Sequence, residues 1–517
     1  MPYQQKEKEG LSWDCFSLAV FLVYTLLQVL RWRILPQFMD IYYHILTARG
    51  FIQAGGYVGW DFWQYAPVGR VHIYPPFFQI VLAILIKSGA NTVILAKFFE
   101  TAMPLIFLAV LWMFIRRNYS PRLAFFCLVA FSSSFSFYLA LLNHIPATLA
   151  AVFGLLSLDR FMHRRMASSV ILLALCFYTH IGIPWFFSLA VLFYGLMDKE
   201  KRRAAFLFLL YAIILSAPVL FKELAGSRQI SALGFNLQER NSCQFKIVDY
   251  ALCLWGLALA FRKNSAYGLL GALFLASFIF LLYPYRFFSA EGYLPVILLC
   301  ALALSVLYRI LESRMQYPRY GLVLILILMF LFSPTLAMER VGEKAAPGLK
   351  LKFFDSAFMG MLFAKGPSLW LPQDYILAAG IIKQNSDIQD IIYSTLNPAG
   401  MSLAAIAARP TANALLAEIG PAKEFDRFAV SKIIIFPADE ERTFVEGAVA
   451  KYGLERIGST RAFILYRNPN LSVKMQPHQA SVSFWLIAVI FIAILGASYL
   501  LRKRFPKRPP SALKTSI

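Results

Sequence analysis

Long apolar runs joined by short polar connections dominate the chain. Runs near 12–31, 93–115, 121–141, 145–160, 167–181, 183–198, 204–221, 247–261, 265–283, 292–308, 320–338 and 481–501 approach the roughly 20 residues a helix needs to cross a bilayer. They predict about twelve transmembrane helices. Residues 77–87, FFQIVLAILIK, are apolar but too short to cross upright, and predict an interfacial or tilted helix. Two connections on the same side of the predicted membrane are long. One spans about 31–76; the other, about 339–480, shifts toward a soluble composition and is large enough for a small domain. Within the second, IIYST, KIIIFP and FILYR read as short buried strands, and DYILAAGIIKQN and ERTFVEGAVAKYG as amphipathic helices. The expected fold is a polytopic α-helical membrane protein with a small α/β domain. Residues 1–338 form its membrane part, 339–480 the domain, 481–501 a last transmembrane helix and 502–517 a basic tail.

Composition agrees with this division. Of 517 residues, 59% are hydrophobic and only 15% charged, against roughly 45–50% and about 25% in soluble domains. Disordered, collagen-like and disulfide-framework classes are excluded. The net charge of +22 sits mostly in alternate connections: Arg116, Arg117 and Arg122; Arg160, Arg164 and Arg165; Lys199 to Arg203; Arg262 and Lys263; Arg309, Arg314 and Arg319; and the tail RKRFPKR. These loops are predicted to be cytoplasmic, with both termini inside and 339–480 outside. No basic patch is left over for nucleic acid. Five of the six cysteines lie in apolar runs and only Cys243 falls in a polar loop, so no disulfide or metal framework is visible. The first apolar run reads as an anchor, since no small-residue cleavage site follows it.

The first external loop carries the chemistry. Residues 39–76 hold Asp40, Tyr42, Tyr43, His44, Arg49, Trp60, Asp61, Arg70, His72 and Tyr74 ahead of Pro75-Pro76. An acid at a helix end beside lipid is well placed to act on a phosphate headgroup. Alternatively, Asp40 caps a helix starting at Ile41. His44 falls at i+4 from Asp40, on the same helix face. Asp61 is a second candidate ligand or a turn acid. Arg70, His72 and Tyr74 are candidates for substrate binding, with interfacial anchoring the alternative for His72 and Tyr74.

The series D-x-Y-Y-H, G-G, W-D, P-x-G-R and Y-P-P resembles the first external loop of the GT-C membrane glycosyltransferases. It is most similar to the catalytic subunit of oligosaccharyltransferase and its archaeal and bacterial relatives. The resemblance covers residues 39–76 in motif and most of the chain in layout. It implies a donor sugar on a polyprenyl phosphate or diphosphate, lipid phosphate as leaving group and an inverting transfer on the extracytoplasmic face. The acceptor would be a glycan, lipid or protein. Asp40, with His44, would be catalytic. Asp40, Asp61, Asn143 and His144 would be candidate ligands for a divalent cation, Mg²⁺ or Mn²⁺. Arg286, at an expected external helix end, would contact the lipid phosphate; the alternative is an arginine snorkelling to water, paired with Glu291.

Two departures stand out. Where the family carries a second acidic motif, this chain reads FYLALLNHIPATLA, with Asn143 and His144 in its place. Imidazole suits Mn²⁺ or Zn²⁺, whereas Mg²⁺ prefers carboxylates. A cation-independent enzyme, or a non-catalytic protein that binds lipid-linked glycan, therefore stays open. Where the family has W-W-D-Y-G, this chain has Thr395 to Gly400, TLNPAG, which argues against asparagine-linked protein glycosylation. His180 reads as an interface residue, and Glu239 as a weak candidate for a mobile-loop acid. A transporter or flippase is the third alternative. The scarcity of charge inside the spans, Lys97 and Glu100 apart, speaks against it.

Overall fold

The computed structural model describes residues 2–36, 40–227, 243–262, 266–281, 283–339, 348–363, 372–415, 419–487 and 489. The helical body comprises α1 (Pro2–Arg31), α2 (Asp40–Ala54), α3 (Phe77–Lys87), α4 (Thr92–Asn118), α5 (Pro121–Phe131), α6 (Phe135–Asn143), α7 (Ile145–Met162), α8 (Met166–Thr179), α9 (Ile183–Met197) and α10 (Lys199–Gly226). It continues through α11 (Ile247–Ala260), α12 (Gly268–Ser277), α13 (Pro284–Ser289), α14 (Leu294–Arg314), α15 (Pro318–Phe330) and α16 (Ala357–Phe363). Among the described residues, five helices are long and apolar enough to cross a membrane, or six if the bent pair α5–α6 counts as one span. Shorter apolar helices of 10–17 residues lie at several of the other expected runs, so the described residues show five or six spans where the sequence suggests about twelve.

Two expected spans end differently from their hydropathy. The run 121–141 is broken by an 88° bend between α5 and α6. Three serines explain the break. Ser133 Oγ donates to Ala130 O at 2.6 Å, and Ser134 Oγ accepts from Phe137 N–H at 3.2 Å, so the new helix ends keep their hydrogen bonds inside an apolar body. The run 320–338 stops as helix at Phe330. Pro334 cannot continue it, and β5 (Thr335–Glu339) follows, pairing with β4 (Cys243–Lys246) on one side and β6 (Gly348–Lys352) on the other. The strands Thr335–Glu339 and Gly348–Lys352 thus belong to the helical body's end. The expected helix at 481–501 lies outside the described residues beyond its first turn, as do the tail and Glu239.

At one end of the body, Arg116 pairs with Asp14 at 2.7 Å, Arg117 with Asp159 at 3.3 Å and Arg122 with Glu312 at 3.4 Å. At the other end sits the α/β unit. Its sheet runs in the order β7–β8–β10–β9, with β7 (Ile392–Ser394) parallel to β8 (Ile433–Pro437), and β9 (Glu455–Ser459) and β10 (Phe463–Arg467) antiparallel. Helices α17 (Pro372–Gln384) and α18 (Asn397–Ala407) cover one face, and α19 (Arg442–Tyr452) the other. β8 is buried on both faces, which is why its sequence is an unbroken apolar run.

The first loop shares the α/β unit's core. Phe51, Phe62 and Trp63 of the loop and Phe78 of α3 pack in one cluster with Tyr375, Leu403, Ile433 and Leu465. Backbone bonds seal the seam: Ala66 N to Thr411 O at 3.0 Å, Thr411 N to Trp63 O at 2.9 Å and Ala422 N to Gly69 O at 2.9 Å. Helix α2 is consequently wrapped on all sides, with Ile41 to Ala48 buried without a break.

Candidate active site

Helix α2 opens on Asp40, whose negative charge suits the helix N-terminus. His44, one turn on, is fully buried, and its Nε2 lies 3.4 Å from Asp40 Oδ1. Its Nδ1 is 2.9 Å from the Gln79 amide. Gln79 satisfies its own groups best with its nitrogen donating to the carbonyls of Pro75 and Pro76, at 2.8 and 3.2 Å, and its oxygen accepting from His44 Nδ1. Nδ1 therefore carries a hydrogen. Nε2, which has no hydrogen-bond partner among the described residues, is thereby turned toward the Asp40 carboxylate. The Pro-Pro dipeptide has a task here: its carbonyls orient the glutamine that orients the histidine.

Tyr74 lies edge-on to His44 at 5.0 Å between ring centres and to His180 at 5.9 Å. His180 follows α8. Its Nδ1 accepts from Gly182 N–H at 3.0 Å and Ile183 N–H at 3.3 Å, capping α9 and leaving Nε2–H as the donor. Burial first, and then the nearby Arg286 charge, lower His180 to about 3, so it is neutral. Beyond it, Glu291 Oε1 accepts from Arg286 Nη1 at 3.2 Å and lies 3.4 Å from His144 Nδ1. Glu291 Oε2 is buried with no hydrogen-bond partner among the described residues. Both Tyr74 and His180 feel the charges of Asp40, Arg286 and Glu291. Burial, and then Asp40, push the Tyr74 phenol well above its usual value. The two rings thus stand between an Asp40–His44 pair from the first loop and an Arg286–Glu291–His144 group from the helical body.

Asn143 closes α6 immediately before His144. Beside His144 the nearest carboxylate is Glu291, far along the chain. The pairing of Arg286 with Glu291 is the alternative raised from the sequence, whereas the approach of Glu291 to His144 and of His180 to Tyr74 is not visible in it. The one available signal was the spacing of Arg286 and Glu291 around a proline-started turn.

The remaining loop candidates are placed elsewhere. Asp61 is buried, accepts from Gln64 Nε2 at 2.8 Å and lies 3.6 Å from Arg70 Nε. Arg70 also donates to Ile419 O at 3.0 Å and Gln64 Oε1 at 3.1 Å, and lies over the Tyr43 and Tyr65 rings. These contacts tie the loop to the α/β unit. Burial pushes the Asp61 carboxyl up to about 6 against the opposing pull of Arg70. His72 is buried against Phe51 and Tyr57, and neither ring nitrogen has a hydrogen-bond partner among the described residues. Burial, and then Lys222, hold it neutral.

Among the described residues, no group of three or more His, Cys, Asp or Glu side chains is arranged to hold a metal ion. Asp40–His44 and Glu291–His144 are pairs, each already engaged internally. Among the described residues, the donors expected to hold Mg²⁺ or Mn²⁺ are not gathered into one site.

No protein-family model matches the chain, and no curated protein matches its sequence. Solved structures do. The Archaeoglobus fulgidus oligosaccharyltransferase complex with Zn and sulfate is similar over 87% of this chain and 73% of its own, with TM-score 0.55 and 12% identity. The same organism's oligosaccharyltransferase AglB, in complex with an inhibitory peptide and a dolichol-phosphate, is similar over 88% and 74%, with TM-score 0.56 and 12% identity. ArnT from Cupriavidus metallidurans in the apo state is similar over 89% and 98%, with TM-score 0.52 and 14% identity. The chain therefore shares the fold of the Archaeoglobus fulgidus oligosaccharyltransferase and of ArnT. Within it, the layout resembles both oligosaccharyltransferase and ArnT, and the overlap takes in nearly all of ArnT's length.

Proposed function

We propose that the chain is a GT-C-type glycosyltransferase that moves a sugar or glycan from a polyprenyl phosphate or diphosphate to an acceptor at the extracytoplasmic membrane face. The observation that carries this reading is the meeting of Asp40–His44 with Arg286–Glu291–His144 across Tyr74 and His180. The fold shared with oligosaccharyltransferase and ArnT supports it, as does AglB's complex with a dolichol-phosphate. The acidic end of the body lies away from the loops bearing Arg116, Arg122 and Arg160, which the distribution of positive charge assigns to the cytoplasm.

In this reading an acceptor oxygen attacks the anomeric carbon as the carbon–oxygen bond to the lipid phosphate breaks. Asp40 takes the acceptor's proton, and His44 holds the carboxylate in place. Charge develops on the departing phosphate, and Arg286 meets it with a planar fork suited to phosphate oxygens. His180 Nε2–H and the Tyr74 hydroxyl orient the reacting groups between these poles. Glu291 keeps Arg286 and His144 from drifting to solvent. The acceptor is a glycan, lipid or protein site other than the asparagine sequon, because TLNPAG lacks the tryptophans and acid of the family's peptide-reading motif.

The test is direct. The lipid that co-purifies with the full chain is identified by mass spectrometry and presented back in vesicles, with release of free lipid phosphate as readout. Release is expected for the unchanged chain and lost in Asp40→Asn, with the variant still folded and inserted. Full release by Asp40→Asn would remove Asp40 from the mechanism, and the absence of any lipid-phosphate sugar among bound lipids would count against the whole reading.

A further inference from the structure

Arg49 lies two and a half turns beyond Asp40 on α2, which places it on the opposite face and about 13 Å further along the axis. There it lines a cavity of about 600 Å³ between α2, the start of α4, α17 and α18, together with Thr92, Ile94, Ile376, Lys383 and Ile406. Arg49 Nη2 donates to Thr92 Oγ1 at 2.7 Å, while its Nε is buried and has no partner among the described residues. Lys383 stands exposed at the rim. Among the described residues, no carboxylate balances either cation. Asp387 and Asp390 act on the neighbouring Arg409, which is tied to Ser386 and to backbone carbonyls, and Arg409 adds its positive charge to the other two.

Cations gathered in a half-buried hollow without an acid raise one another's energy, and a bound anion relieves this. Burial, with the Arg409 charge second, lowers Arg49 to about 10. The end of α4 does not create the site, since Asn91 Oδ1 already accepts from Val93 and Ile94 N–H. The rim is apolar on the outward side, where Ile94 is 59% and Ile376 51% exposed, and Ile84 and Phe98 continue the apolar surface along α3 and α4. A charged hollow with an apolar lip suits an amphiphile whose head is anionic.

We propose that this cavity binds a phosphate monoester or diester, carried by a bilayer lipid or free in solution, at a site separate from the Asp40–Arg286 cluster. The guanidinium Nε–H and the lysine ammonium point-charge then complete the coordination that Thr92 begins. The assignment does not rest on the glycosyl-transfer reading.

The full chain in phosphatidylcholine nanodiscs is titrated with phosphatidylglycerol in one arm and inorganic phosphate in the other, with melting temperature and native mass spectra as readouts. Saturable stabilisation is expected, weakened about tenfold in Lys383→Gln and in Arg49→Gln, as the loss of one charge-assisted bond implies. Lys383 is exposed, so its variant keeps the fold even if Arg49→Gln does not. Protection by phosphatidylglycerol alone assigns a lipid headgroup; equal protection by inorganic phosphate assigns a soluble phosphate. Both uphold the site. Failure of both probes to stabilise the chain would overturn it, as would unchanged binding in both variants. Loss of binding in Asp40→Asn would also overturn it, by moving the anion to the transfer cluster.

Discussion

Arg286 and Asp40 carry opposite halves of the proposed reaction, and their variants separate the halves. Arg286→Gln is expected to lower lipid-phosphate release by about a hundredfold, the usual cost of one preorganised charge-stabilising donor. Arg286→Lys is expected to keep an intermediate rate, because the charge survives and the fork does not. Added Mg²⁺ or Mn²⁺ should restore neither, since Asp40–His44 and Glu291–His144 remain separate pairs. Rescue by either ion, measured as release rate, would show that the cation expected from the resemblance enters the site with its phosphate. Glu291 illustrates what a single sequence hides. It lies 147 positions from His144, and nothing in the local pattern announces that their side chains meet. Asp40 and His44, four apart on one helix, were legible from spacing alone.

At the scale of elements, the β2–β3 hairpin (Trp60–Asp61 with Arg70–Val71) and its turn determine whether the loop seats on the α/β unit. Gly69 has φ +70°, and a Cβ there would stand 2.3 Å from Trp60 Nε1. Gly69→Ala should therefore cost more than about 1 kcal/mol, seen as a lowered melting temperature in detergent. Asp61 gives the same seam a pH dependence. Its carboxyl rises from 3.8 to about 6 on folding, so between those values the folded chain holds a proton that the unfolded chain has released. Stability from this group is present at low pH and is lost as pH rises through that window. The unchanged chain should lose melting temperature relative to Asp61→Asn between these pH values, and parallel curves would refute the assignment. Of the elements, the strands of IIYST, KIIIFP and FILYR and the helix at 77–87 were legible, because burial writes itself into continuous or periodic apolar runs. The bend at Ser132–Ser134 and the strand after Pro334 were not, because hydropathy sums over a window and is blind to where hydroxyls or a proline release the backbone.

For the whole molecule, the distribution of basic loops gives an expected orientation that labelling can check. An impermeant thiol reagent applied to intact cells should modify Asp439→Cys on the α/β unit and leave Arg165→Cys untouched until the membrane is opened, both positions being exposed. The reverse pattern would put the proposed transfer site in the cytosol. The alternating strands and helices of the α/β unit were readable from the apolar pattern, whereas the relation between that unit and the first loop was not, since it is made by contacts between positions more than 300 apart.

That shared interior has a consequence for how the protein can change. The segment bearing Asp40 builds one core with Phe78 and Phe99 of the helical body and with Tyr375, Leu403 and Ile433 of the α/β unit. A chimera that keeps residues 1–338 and borrows the distal module of a distant cousin would leave Phe51, Phe62 and Trp63 facing a foreign surface. The two regions should therefore be inherited as a matched set, and a graft should regain its activity only when both are exchanged together.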